Sequence, residues 1–178
     1  MTPSRKFYQR DTLKVAQDLL GCFLVRKIGN KIIKGMITET EAYIGEDDLA
    51  CHASKGRTKR TEIMYGEAGH AYVYMIYGMY YCLNIVTEKK DFPAAVLIRA
   101  VKIDGVDYQK TNGPGKLCKT LKIDKKLNGW NLAKNDKLYI QHLAKNLLKK
   151  NIVADKRIGI DYAKHCKEYL WRFTSKQK

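Results

Sequence analysis

Only Gly29 and Asn30 separate two strand-like runs, Cys22 to Ile28 and Lys31 to Ile44. A two-residue connection cannot carry the chain across to a parallel neighbour, so the two runs must form an antiparallel hairpin. A second hairpin reads from Ala71 to Ile76 and Tyr80 to Thr87, joined at Tyr77-Gly78-Met79 with an aromatic residue at its tip. Val96 to Ile103 and Leu138 to Ile140 add strands, and Trp130 to Leu132 reads as extended. Asp11 caps a short helix whose apolar positions Leu13, Ala16, Leu19 and Leu20 keep helical spacing up to Gly21. Lys116 to Leu121 and Ala144 to Lys150 read as further helices, while Lys156 to Ile160 and Leu170 to Phe173 are expected to close the core. A chain of 178 residues suffices for one hydrophobic core and is short for two. With no stretch of linker composition, residues 1–178 read as a single domain.

The charge points to a partner. There are 34 Lys and Arg against 18 Asp and Glu, a formal net charge of +16, far beyond what solubility requires. A polyanion is the expected ligand. Apolar residues at 45% and only three prolines exclude a disordered chain. Cys22, Cys51, Cys82, Cys118 and Cys166 are odd in number, widely spread and without zinc or iron-sulfur spacing, so they read as free thiols in a reducing compartment. No run approaches the ~20 apolar residues of a membrane span, and the start lacks the apolar region of a secretory signal. A soluble, intracellular protein is expected.

Chemistry concentrates between Glu39 and Asn84. Half of the chain's twelve tyrosines lie between Tyr65 and Tyr81, directly after the cationic run Lys55, Arg57, Lys59 and Arg60. Alternation along the second strand places Ile37, Glu39, Glu41 and Tyr43 on one face. Gly45 to Gly69 has no clear period, and a loop that long in a compact domain is commonly functional. Arg99 sits inside an otherwise apolar strand, where a charge needs a partner. Glu39, Glu41, Glu46, Asp47, Asp48 and His52 are close in sequence but match no metal-ligand spacing, and Glu46 to Asp48 read as a turn or a helix cap. No nucleophile elbow is present. A single carboxylate acting on water fits best if the reaction is loss of a base from a sugar, because one anion can deprotonate water and stabilise an oxocarbenium-like transition state. Tyrosines and His52 would then wall a pocket for a flipped base.

At these residues the sequence resembles the alkyladenine DNA glycosylase family, the mammalian-type 3-methyladenine DNA glycosylases. The likeness runs from about Asp11 to Phe173. It rests on ETEAYIG from Glu39 to Gly45, His52 with the following GRTKR, YVYMIYGMYYCLN from Tyr72 to Asn84, VLIRA from Val96 to Ala100, NGPGKL from Asn112 to Leu117, and RIGI from Arg157 to Ile160. The resemblance implies a mixed α/β (α+β) fold, a single domain around a curved antiparallel β-sheet with surrounding helices and a protruding DNA-binding β-hairpin. It implies Glu41 as the base that activates water, held by Arg99 and the main-chain carbonyl of Ile158. Tyr43, His52 and Tyr74 would sandwich the flipped base, Asn84 would obstruct the amino group of normal guanine, and Tyr77 would wedge into the duplex with support from Met79. Arg57 and Arg60 are candidates for phosphate contacts. Double-stranded DNA containing damaged purines is the implied partner, with no metal, no redox cofactor, no membrane and no lyase step. A monomeric, cytoplasmic, nucleoid-associated bacterial protein acting on 3-methyladenine, 7-methylguanine, and further hypoxanthine and ethenoadenine, is the resulting expectation.

The chain departs from the family in a longer connection, Thr87 to Pro93, which bears on the pocket rim. Two other readings of the residues stay open: a non-catalytic basic nucleic-acid-binding module stacking bases on Tyr72 to Tyr81, and a metal-dependent structure-selective nuclease.

Overall fold

In the computed structural model, which describes residues 1–142 and 152–175, strand β1 (Phe23–Ile28) and strand β2 (Lys31–Ile44) pair antiparallel from Ile28 opposite Lys31 to Phe23 opposite Met36. The second hairpin follows the same logic, with β3 (Ala71–Ile76) against β4 (Tyr80–Val86). Strand β5 (Ala94–Lys102) lies between β4 and β2, and β6 (Leu138–Gln141) pairs with β1. The resulting order is β3-β4-β5-β2-β1-β6, antiparallel throughout. Strand β2 is long because two partners share one of its edges: its first half pairs with β1, and Glu39 to Glu41 pair with β8 (Arg172–Ser175). Strand β7 (Ile152–Asp155), which the sequence does not announce, pairs with β8. The sheet curls, giving the expected α+β domain.

One face of the sheet carries the main core. Helix α1 (Arg5–Tyr8) precedes α2 (Thr12–Leu19), whose start is capped by Asp11 accepting from Lys14 N–H at 2.9 Å. Helix α3 (Pro114–Thr120) begins on proline, where the missing N–H costs nothing. Val15, Ala16 and Leu19 of α2 and Leu117 of α3 pack in one cluster with Leu24, Ile37, Leu83, Ile85, Val96, Ile98 and Phe173. The expected Ala144 to Lys150 helix lies outside the described residues. Trp130 to Leu132 is not a strand and contributes only an isolated bridge between Asn131 and His70. All five cysteines are free and buried. No helix of the described residues is long and apolar enough to cross a membrane.

The alternation expected along β2 is interrupted. Pairing with β5 is irregular between Ile37 and Thr40, where Thr38 on β2 and Arg99 on β5 drop out of the register in turn, and Ile37 joins the core while Glu39, Glu41 and Tyr43 lie on the opposite face. Thr40, on the core face, donates its hydroxyl to the Ala16 carbonyl at 2.9 Å. Unbroken alternation would have put Ile37 among carboxylates; the paired irregularities in β2 and β5 resolve the conflict without a net change of register.

Gly115 marks where α3 meets the second hairpin. A Cβ there would stand 3.0 Å from Tyr80 Cβ and 3.1 Å from its ring, and the Tyr80 Cβ cannot swing away because it is fixed to β4. Gly115→Ala is expected to cost about 1–3 kcal/mol through overpacking, measured by chemical denaturation; a change under about 0.5 kcal/mol would mean that the helix and hairpin are free to separate.

Candidate active site

The face opposite the main core is covered by two loops, each with its own small apolar cluster. The first holds Cys51, Ala53, Met64 and Tyr65 against Tyr72, Val86 and Ala95; the second holds Ala50, Ile160, Ala163 and Cys166. Tyr43 packs against both clusters. Between them opens a cleft of about 560 Å³ whose lining includes Tyr43, His52, Tyr74, Asn84, Arg99 and Ile158.

Strand register supplies the floor. Tyr72 is the partner of Asn84, Asn84 of Leu97, Leu97 of Glu41, and Glu41 of Arg172, so a single row crosses five strands. Because side chains alternate, Leu83, Val96 and Ala42 next to this row point into the core while the row itself faces the cleft or its margin.

Glu41 is fully buried and held at both oxygens. Tyr43 donates its hydroxyl to Oε2 at 2.8 Å, and Ile158 donates its backbone N–H to Oε1 at 2.8 Å. Arg99 Nη1 stands 3.4 Å from Oε1. Burial raises the pKa of Glu41, opposed by Arg99, by the Ile158 N–H and by the Tyr43 hydroxyl. The same burial, with Glu41 beside it, pushes the Tyr43 phenol well above its ordinary value, so Tyr43 serves as donor. The partner expected for Arg99 is therefore a pair of carboxylates, Glu41 and Glu39, the latter 3.3 Å from Nε.

The aromatic walls are linked to one another. His52 and Tyr74 meet edge to face with centroids 4.5 Å apart, and Tyr72 and Tyr74 are tilted at 5.3 Å. His52 Nδ1 lies 2.8 Å from the Tyr72 hydroxyl. Burial and the nearby Arg60 guanidinium lower the His52 pKa to about 4, so the ring is neutral at physiological pH. Since the unfolded chain takes up a proton near the ordinary value of 6.5 that the folded ring refuses, His52 lowers fold stability as pH falls from about 6.5 toward about 4. An NMR titration of the His52 ring should give a midpoint close to 4; a midpoint above 6 would mean that the ring is solvated.

Residues 6–178 match the family model described as methylpurine-DNA glycosylase. The chain belongs to the methylpurine-DNA glycosylase family. Proteins provisionally named 3-methyladenine DNA glycosylase are similar over nearly the whole length. One from Methanocella arvoryzae is 49% identical over 97% of this chain and 91% of its own. Another from Clostridium novyi is 50% identical over 97% and 94%, and one from Legionella pneumophila is 50% identical over 97% and 93%.

In this glycosylase the β3–β4 hairpin stands at the mouth of the cleft. Tyr77 at its tip has φ +51° and is 85% exposed, next to Gly78 at φ +68°; Met79 is also exposed. Asn84 is buried on the floor, its Nδ2 donating to the Tyr72 carbonyl at 3.1 Å. Arg60 lines the cleft with its guanidinium 5.2 Å from the Tyr74 ring centre. Arg57 is placed differently: it donates to Glu62 at 2.7 and 2.9 Å and to Asp91 at 3.0 Å, so two carboxylates offset its charge. The Thr87 to Pro93 connection contributes nothing to the cleft lining. It folds back on the start of α2, where Glu88 accepts from Thr12 N–H at 2.8 Å.

Sequence reasoning missed the strongest charged contact near the site. Asp48 and Arg157, both buried, pair through two contacts of 2.6 and 2.8 Å, and the guanidinium lies 4.8 Å from the Tyr43 ring centre and 5.0 Å from that of Trp171. Asp48 also accepts from Ala50 N–H, in keeping with the expected turn. The signal was present, because Arg157 sits in the apolar run RIGI just as Arg99 sits in VLIRA, and the demand for a partner applies to both.

Proposed function

We propose that this glycosylase hydrolyses the N-glycosidic bond of alkylated purines flipped out of duplex DNA, using water activated by Glu41. The observation that carries the reading is Glu41, a fully buried carboxylate just behind the lining of an aromatic cleft, whose burial raises its pKa while three donors that do line the cleft, Tyr43, Ile158 and Arg99, keep it ionisable. A base with raised proton affinity is a better proton acceptor, and the same anion lies where positive charge develops on the sugar. Tyr43, His52 and Tyr74 form the walls for the base, and Arg99 with the Ile158 backbone forms the water site. A neutral His52 presents no charge against a cationic methylpurine, which gains from the aromatic faces.

Tyr77 fills the gap left by the extruded nucleotide, since its exposed, fixed position at a tight turn suits a wedge and not a core role. Asn84, held by its bond to Tyr72, is placed to obstruct the exocyclic amino group of normal guanine. 3-Methyladenine and 7-methylguanine, already cationic leaving groups, are the core substrates; hypoxanthine and ethenoadenine, which must be protonated, react more slowly. The enzyme acts as a monomer on nucleoid DNA and leaves the abasic strand intact, because the attacking group is water and not an amine.

The test is base release from methylated duplex DNA in the presence of EDTA. Free methylpurine with strands that break only on later alkali treatment is expected. Strand cleavage that stops with EDTA would favour a nuclease, and tight binding without base release would favour a non-catalytic binding module.

A further inference from the structure

Glu41 does not face Arg99 alone. Arg99 forks between two carboxylates, Nε to Glu39 Oε1 at 3.3 Å and Nη1 to Glu41 Oε1 at 3.4 Å. Glu39 Oε1 also takes Arg172 Nη1 at 3.1 Å, and Arg172 Nη2 reaches Asp155 Oδ2 at 2.6 Å. Alternating charges thus run from the fully buried Glu41 through Arg99, Glu39 and Arg172 to the solvent-exposed Asp155, across β5, β2, β8 and β7. Register makes this possible, since Arg172 is the strand partner of both Glu41 and Asp155. Alternation along β2 puts Glu39 on the same face as Glu41, within reach of the same guanidinium.

We propose that Glu39 is a positioning residue that draws Arg99 away from full pairing with Glu41, and thereby sets the pH range in which Glu41 works as a base. The inference rests on the reading of Glu41 as the group that activates water. Each charged or titratable neighbour has a defined part. Tyr43 on β2 and the Ile158 N–H donate to Glu41, Cys82 faces it from β4, and Arg157 acts from beyond the Tyr43 ring. Arg99 is the direct cation, and Glu39 is the anion that competes for it. Were Glu39 neutral, Arg99 and Arg172 would act on Glu41 without a competitor. The carboxylate would then bind its proton more weakly, and uncompensated positive charge would remain near the site where the sugar becomes cationic.

The experiment is the pH dependence of single-turnover release of 3-methyladenine, whose fixed charge keeps substrate protonation out of the acid limb. Glu39→Gln should move that limb to lower pH by about one unit and lower the plateau about threefold. Glu39→Asp, which keeps the charge, should restore most of the native profile. Arg172→Met should move the limb the other way, because Glu39 then acts on Arg99 alone. Thermal melts verify that each variant is folded. An acid limb that stays in place in both Glu39→Gln and Arg172→Met, or that moves in the same direction in both, would overturn the proposal. Glu41→Gln is the separate control: retained activity there refutes the base assignment, whereas loss there with unmoved limbs in the other variants refutes only the role of Glu39.

Discussion

Glu41→Gln should bind methylated duplex at least as tightly as the native protein and release its bases slower by a factor of about 10³, within the range for loss of a general base. The amide keeps the shape of the carboxylate but cannot take a proton from water. Nor can it satisfy all its neighbours, because only its oxygen accepts, whereas Tyr43, Ile158 and Arg99 all approach as donors. Removing a negative charge from beside the cleft proposed to receive DNA lowers repulsion toward phosphate, so binding is preserved or tightened. The stability effect has the opposite sign. Burial raises the pKa of Glu41, so the ionised form costs the fold stability above that pKa, and the cost disappears as pH falls through it. The native protein should therefore lose stability as pH rises through that pKa, and Glu41→Gln should lack that fall. Single-turnover excision, duplex binding and melting curves across pH on the same preparation check all three expectations; excision within tenfold of native would refute the assignment of Glu41.

Arg157→Met should destabilise the fold by about 3–5 kcal/mol, the cost of leaving one partner of a buried ion pair alone. Arg157 donates to both oxygens of Asp48, to the Ala42 carbonyl at 2.9 Å and to the Cys166 carbonyl at 3.2 Å, while its guanidinium lies over the rings of Tyr43 and Trp171. Methionine fills much of the volume and supplies none of these donors. With Arg157 gone, Asp48 would be an unpaired carboxylate at 1% side-chain exposure. The double variant Asp48→Asn with Arg157→Met should be less destabilised than the sum of the single variants, because the neutral amide removes the stranded charge. Urea denaturation gives the values, and a loss below about 1 kcal/mol for Arg157→Met would mean that water reaches the pair.

Local features were readable and distant ones were not. Turn chemistry at Gly29-Asn30 and Tyr77-Gly78 fixed two hairpins, and the Asp11 cap fixed the start of α2, because each depends on a few neighbouring residues. The demand that Arg99 find a partner came from burial of charge alone; alternation already put Glu39 and Glu41 on one face, but which strand lies beside β2 depends on pairing that local sequence does not encode. Strand β7 is short, and its place beside β8 depends on pairing that local sequence does not encode. Asp48 and Arg157 are 109 positions apart, beyond anything a local pattern can connect. The family motifs named Glu41, Tyr43, His52, Tyr74, Asn84 and Arg99 together; the register of β2 to β5 puts the five strand residues on one face of the sheet, and the loop after β2 carries His52 over it.

The burial of every cysteine bears on how such a protein endures the conditions that create its work. Methylating electrophiles that damage purines also attack sulfur, and they attack the thiolate far faster than the thiol. Burial pushes Cys22 and Cys51 up to about 12 and Cys82 up to about 11, so at neutral pH these sulfurs are almost wholly protonated. Cys82, although it borders the cleft, is only 2% exposed. Buried and protonated, these three sulfurs are poor targets for the same class of reagent that methylates purines.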